Sequence, residues 1–345
     1  MLKYFHGSFF VTIIGLILAF YWGERMHSGT GLTCLFIAAV LAILEISLSF
    51  DNAVVNAAKL EKMSEKWQKR FITWGIMIAV FGMRFIFPLA VVAIFAKLNI
   101  INVLMMALND VDNYTHYLEL THAPIVSFGG AFLLMLFLDF FISKNKKVHW
   151  LKFIEEKLTY LSKIKGISII ITLIVLGILY YYTPIEAKND VFLSGLYGMI
   201  TYLCIDGLAE WLEHRQEERA KFSAETVKCS GLVGFLYLEL IDASFSLDGV
   251  LGAFALSKDI IIITIGLFIG AMFVRSLTIM LVEKKTLKQF IYLEHGAHWA
   301  IGVLAALMFI TTRVHVPEVI TGVLGLVFII SSLISSIIYN NKQGN

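Results

Sequence analysis

Two stretches of this chain set carboxylates, hydroxyls and an amide at matched spacing inside apolar sequence. The first runs Glu45-Ile46-Ser47-Leu48-Ser49-Phe50-Asp51-Asn52, the second Asp242-Ala243-Ser244-Phe245-Ser246-Leu247-Asp248-Gly249. Both read carboxylate-x-Ser-x-Ser-x-Asp, 197 residues apart. Ionisable groups at membrane depth cost roughly 2.5–3.5 kcal/mol each on insertion scales, so two matched copies argue for use. The donors are the carboxylates of Glu45, Asp51, Asp242 and Asp248, the hydroxyls of Ser47, Ser49, Ser244 and Ser246, and the amide of Asn52. No cysteine or histidine lies within either copy. An all-oxygen set suits hard cations such as Mg, Ca and Mn, and argues against copper or a thiolate zinc centre. Four ionised carboxylates together with Arg84 and Arg275 leave a charge of −2, which one divalent cation neutralises. Carboxyls gathered in an apolar setting also offer a route to exchange protons for metal.

The elements holding these groups follow from composition. Of 345 residues, 58% are apolar and 16% charged, the formal net charge is +2, and the mean hydropathy is +0.79. Repeated long apolar runs predict an all-α polytopic membrane protein. Ten spans are expected, near 8–23, 31–58, 70–96, 124–142, 167–183, 191–211, 229–256, 259–283, 296–312 and 317–339. The start is read as a first membrane helix, since no small-x-small cleavage site follows closely. Segment 98–123, with Asp110, Asp112, Glu119 and His122, is expected as an extramembrane or re-entrant loop, with Ile100–Leu108 touching the interface. With the N terminus inside, 21 lysines and arginines fall in inside segments and five outside. That is the positive-inside pattern, with both termini cytoplasmic. The basic loops are thus read as topology signals, with neither a nucleic-acid nor a lipid partner needed to explain them; the partners expected are the lipid bilayer and the metal ion. Cys34, Cys204 and Cys229 are isolated and expected as free thiols.

The two motifs sit in spans two and seven, which cross the membrane in opposite directions. The likeness continues: Gly75 precedes Arg84 by nine residues, as Gly266 precedes Arg275, and Phe128-Gly129-Gly130-Ala131 loosely matches His295-Gly296-Ala297-His298. The chain therefore divides into an N-terminal helix (1–30), a three-span repeat (31–142), a basic cytoplasmic loop with two connecting spans (143–228), an inverted second repeat (229–312) and a C-terminal span with tail (313–345). Inverted repeats with polar motifs in interrupted helices are a transporter signature. On a regular helix Glu45 and Ser49 share one face, with Ser47 and Asp51 nearly opposite. Unwound backbone would instead let all four point into one cavity, and it survives at membrane depth only where it lines one. Both arrangements remain open from the sequence.

Further residues support the site. Asn56 follows Asn52 by four, and Glu239 precedes Asp242 by three, so each is a helical neighbour. Arg84 and Arg275 hold matched positions, against a plain reading as snorkelling or structural ion pairs. Asp206 and Glu210 share a face of span six; Asp206 extends the ion path, whereas Glu210 marks the span end. Asp139, His122, His295 and His298 lie near span ends and read as interfacial groups rather than ligands.

The pair Ser47-Leu-Ser-Phe-Asp51-Asn52-Ala-Val-Val55 and Asp242-Ala-Ser-Phe-Ser-Leu-Asp248-Gly-Val250 resembles the tellurium-resistance TerC family, in particular its larger bacterial and archaeal members within the LysE-type exporter superfamily. The resemblance covers roughly residues 30 to 340. It implies inverted three-helix repeats, a cytoplasmic-membrane location, and association with manganese export, with metal supply to secreted or membrane enzymes, and with tellurite resistance. By motif position it implies metal-binding roles for Asp51, Asn52, Asp242 and Asp248. The family's second copy commonly continues Asp-Ser with a proline soon after; here Gly249, Val250 and Leu251 follow Asp248. The expected function is a secondary transporter exporting a divalent cation, Mn(II) first, with no organic cofactor, no catalytic activity, and a homo-oligomer compatible with the sequence. The alternatives are a non-transporting membrane factor for metal supply or assembly of exported enzymes, and a small amino-acid exporter.

Overall fold

A computed structural model describes residues 2–343 except 27, 62, 76–77, 79–81, 83–85, 96, 144–147, 221–230, 233, 237, 243–252, 254–255, 258, 285–288, 315 and 317. Side chains at 2, 51, 72, 87–88, 91, 95, 111, 209, 212–220, 318–319, 321–322 and 343 also lie outside that description. The helices are α1 (His6–Met26), α2 (Gly31–Leu48), α3 (Phe50–Glu61), α4 (Glu65–Arg70), α5 (Phe87–Phe95), α6 (Ile100–Asn109), α7 (Val111–Phe141), α8 (Lys152–Leu161), α9 (Ile167–Tyr182), α10 (Lys188–Ala220), α11 (Ile260–Glu283), α12 (Leu293–Thr311) and α13 (Glu318–Gln343). No strand occurs among the described residues. In hydrocarbon every backbone polar group needs an internal partner, which helices supply.

Seven described helices are long and apolar enough to cross a membrane: His6–Met26, Gly31–Leu48, Asp112–Phe141, Lys188–Leu208, Ile260–Glu283, Leu293–Thr311 and Val323–Lys342. They coincide with seven of the ten expected spans, and the chain is an all-α multi-pass membrane protein. The expected fifth span is the shorter apolar helix Ile167–Tyr182. Of expected span three, Phe71–Gly75 is a π-helical turn and Phe87–Phe95 is α5, with residues 76–77, 79–81, 83–85 and 96 outside the described residues, whereas more than half of expected span seven lies outside them.

Segment 98–123 departs from the expected loop: it is helical almost throughout. Asn99 Oδ1 caps α6 by accepting from the Ile101 amide at 2.9 Å, and Asp110 Oδ1 accepts from the Asn113 amide at 3.3 Å at the start of α7. Asp110, one of the polar residues that suggested a loop, is therefore a helix cap. Val103, Ala107, Tyr114 and Leu118 are buried in a core shared with Ala38, Leu41, Ile262 and Leu267, whereas Ile101 and Met105 remain exposed.

Two layers of contact position the motif. α2 packs on α11 and α1, while α7 packs on α10 and α12. Close approach along α2 depends on a Gly-x-x-x-Gly pair in α11, the small-residue arrangement that lets membrane helices touch. A Cβ on Gly266 would lie 2.5 Å from Leu41 Cβ and 2.9 Å from the Ala38 carbonyl oxygen. At Gly270 a Cβ would lie 2.5 Å from Glu45 Cβ and 2.9 Å from the Ala42 carbonyl oxygen. α1 is stapled to α11 at both ends. The Ser8 hydroxyl donates to the Met272 carbonyl at 2.7 Å, and Trp22 Nε1 donates to Asp259 Oδ2 at 2.7 Å. The other carboxylate oxygen of Asp259 accepts from the Ile261 and Ile262 amides and caps α11.

Candidate functional site

The first motif lies where α2 passes into α3. Only Ser49 departs from helical assignment, and the ladder runs through it: its amide donates to the Glu45 carbonyl at 3.0 Å and its carbonyl accepts from the Ala53 amide at 3.1 Å. The first copy is thus a nearly continuous helix. The near-regular turn puts Glu45 and Ser49 on one buried face, where the Ser49 hydroxyl donates to Glu45 Oε1 at 2.5 Å. Ser47 falls on the opposite face; it is exposed and its hydroxyl donates to the Ile43 carbonyl at 2.9 Å. The nearly regular helix keeps it on the face away from Glu45 and Ser49. Asp51 lies within α3, and its side chain is outside the described residues.

One turn on, the two copies meet. Asn52 Nδ2 donates to Asp242 Oδ1 at 2.5 Å across 190 residues of sequence. Both side chains are buried, as are Asn56 and Glu239. Residues 238–242 are helical, so Glu239 lies about one turn before Asp242. Both carboxyl oxygens of Glu239, and Asn56 Oδ1, have no hydrogen-bond partner among the described residues. Buried polar atoms left in that state are costly and call for an explanation. A Cβ on Gly75 would lie 3.0 Å from Glu239 Oε1. Gly75 thus approaches the Glu239 carboxylate ahead of the second motif, and Gly266 lies over Ala38 and Leu41 ahead of the first.

The sequence-predicted donors thus sort as follows. Glu45, Ser49, Asn52, Asn56, Glu239 and Asp242 are all buried, and Asn52 and Asp242 join the two motifs. Arg275 is half-buried on α11, and Asp206 is exposed on α10. Arg84, Ser244, Ser246 and Asp248 lie outside the described residues. Among the described residues, no three carboxylate, imidazole or thiol side chains converge into a closed metal centre; the donors are carboxylates interleaved with amides and a hydroxyl. Such oxygens can hold a hard cation or pass one along.

Two clusters escaped the sequence reading. A cavity of about 230 Å³ opens beyond Asn56 on α3, lined by Lys59, Asp139, Phe140, Tyr202, Glu294 and His298 among others. His298 is buried, stacks on Phe140 with ring centroids 3.5 Å apart, and its Nδ1 lies 2.8 Å from the Glu294 carbonyl oxygen. That carbonyl only accepts, so Nδ1 carries the proton.

The second cluster corrects the view of His295 as a plain interfacial histidine. It is buried, and its Nδ1 lies 2.9 Å from Glu155 Oε2. Trp299 Nε1 donates to Glu155 Oε1 at 3.1 Å, and the Trp150 and Leu151 amides donate to the same carboxylate. Burial pushes the Glu155 carboxyl upward, but these donors, with His295 first, outweigh burial and hold it down at about 2. The partners lie 140 residues apart in sequence, and no local spacing links them. The only available signal was a carboxylate on the otherwise apolar side of a short helix.

No curated protein shows a significant match to the chain, and no solved structure does. Residues 50–343 match the family described as "Protein of unknown function (DUF475)", a match that includes Asp51, Asn52 and the whole second motif. This match spans most of the sequence, and the chain belongs to the DUF475 family.

Proposed function

We propose that this membrane protein is a secondary transporter that exports a divalent metal cation from the cytoplasm. The observation that carries the reading is the buried Asn52–Asp242 hydrogen bond, which joins the two motif copies at one place. Glu45, Ser49 and Asn56 lie along the same helix stripe as Asn52, and Glu239 lies about one turn from Asp242, all buried. Hard oxygen donors favour Mg, Ca or Mn, and the motif resemblance favours manganese among them. The cation would take up acceptors of Glu239 and Asn56 that have no donor among the described residues. Alternating access follows from the two repeats moving against each other about the shared site. The Asn52–Asp242 contact would open when a cation enters and reform when it leaves, with protons as counter-ion.

The test is metal flux in proteoliposomes containing a metal-sensitive dye. Wild-type protein is expected to move Mn(II), and Asp242→Asn and Glu45→Gln to move it far more slowly. Undiminished flux in Asp242→Asn sinks the shared site. Wild-type vesicles that bind metal without moving it support the metal-supply factor instead.

A further inference from the structure

The segment joining α7 to α9 carries a helix turned the wrong way for a loop in water. In α8 the fully buried side chain is a carboxylate, Glu155, at 0% exposure, whereas Phe153 is 75% and Tyr160 66% exposed. Ile154 and Ile164 are exposed beside them. Phe153, Lys157 and Tyr160 stand at i, i+4 and i+7, one stripe of a helix. The Lys157 ammonium lies 3.8 Å from the Phe153 ring centroid, and that of Lys163 lies 4.0 Å from Tyr160. Lys152 and Lys165 are also exposed, against the single exposed acid Glu156. The buried side cannot roll outward, because Glu155 is held by His295 and Trp299 of α12.

Topology explains why this loop is basic, but not why its lysines lie in register with exposed aromatic rings. Both ends of the segment run directly into apolar helices, ending at Phe141 and resuming at Ile167, so α8 stays within short reach of the bilayer surface. Aromatic rings prefer the membrane–water boundary, and lysines near an anionic leaflet are drawn to its headgroups. We propose that α8 is an interfacial anchor. Phe153 and Tyr160 enter the boundary between headgroups and acyl chains, about 5–10 Å deep as amphipathic helices do, and Lys152, Lys157, Lys163 and Lys165 bind the phosphates of anionic phospholipids. This surface binds lipid whether or not the protein moves metal.

The experiment uses full-length protein with Cys34, Cys204 and Cys229 changed to serine and an environment-sensitive fluorophore on Phe153→Cys. The protein is reconstituted in phosphatidylcholine vesicles with and without phosphatidylglycerol. A blue-shifted emission, quenched by brominated acyl chains and more strongly so with phosphatidylglycerol, is the expected result. Changing the four lysines to glutamine should abolish the dependence on phosphatidylglycerol. A Tyr160→Cys label repeats the measurement should the first variant fold poorly. Emission typical of water in both vesicles overturns the proposal. Equal immersion with and without phosphatidylglycerol overturns the phosphate contacts. Protection that rises with the protein-to-lipid ratio rather than with phosphatidylglycerol assigns the face to a second copy, and also overturns it.

Discussion

Two buried side chains from opposite halves, Asn52 and Asp242, share one hydrogen bond, and removing either end leaves the other polar group buried. Asn52→Ala is expected to weaken cation binding by about 10–100-fold, the usual effect of losing a group that orients a ligand, while exposed Ser47→Ala leaves it unchanged; equilibrium metal titration reads both. Glu155 makes a separate prediction. Its carboxyl is held at about 2, below the ordinary 4.5. Its stabilisation is therefore complete above about pH 4.5 and is lost as pH falls towards 2. Glu155→Gln should unfold more easily than wild type at neutral pH, by about 2 kcal/mol for charge-assisted hydrogen bonds. The gap should narrow between pH 4.5 and 2 in thermal unfolding with detergent. Spacing by four made the Glu45–Ser49 pair legible in the sequence. It could not reveal Asn52 against Asp242, because aligning the repeats pairs Asn52 with Gly249: equivalence between copies says which residues correspond, not which touch.

Helix α2 meets α11 through Gly266 and Gly270, and the second of these backs Glu45 directly. A side chain there must displace backbone as well as Glu45. Gly270→Val is expected to cost about 1–3 kcal/mol by overpacking, and to lower both the melting temperature in detergent and Mn(II) flux. Gly207, whose added Cβ would meet nothing within 4 Å, serves as the tolerant control when changed to alanine. Apolar runs made most of the long helices legible, because the need to satisfy backbone groups in lipid leaves few other solutions. Segment 98–123 was expected as a loop because of its polar residues, among which Asp110 looks like a loop residue until its capping bond is seen. The motif helix likewise proved nearly unbroken at Ser49, since alternation of polar and apolar residues does not by itself unwind a backbone whose bonds are still made.

For the whole molecule, the distribution of lysine and arginine fixes an expected orientation. A cysteine at Lys163 should react with an impermeant thiol reagent only from the cytoplasmic side, and one at Lys188 only from the outer side. The opposite pattern would invert the direction proposed for export. The Asn52–Asp242 contact also bears on how the protein is made. It closes a loop of 190 residues, and contacts that distant in sequence form late and slowly. During synthesis Asn52 enters the membrane long before Asp242 has left the ribosome. The first half must therefore rest in the bilayer as a partly finished structure, with Asn52 lacking its Asp242 partner until the second half inserts.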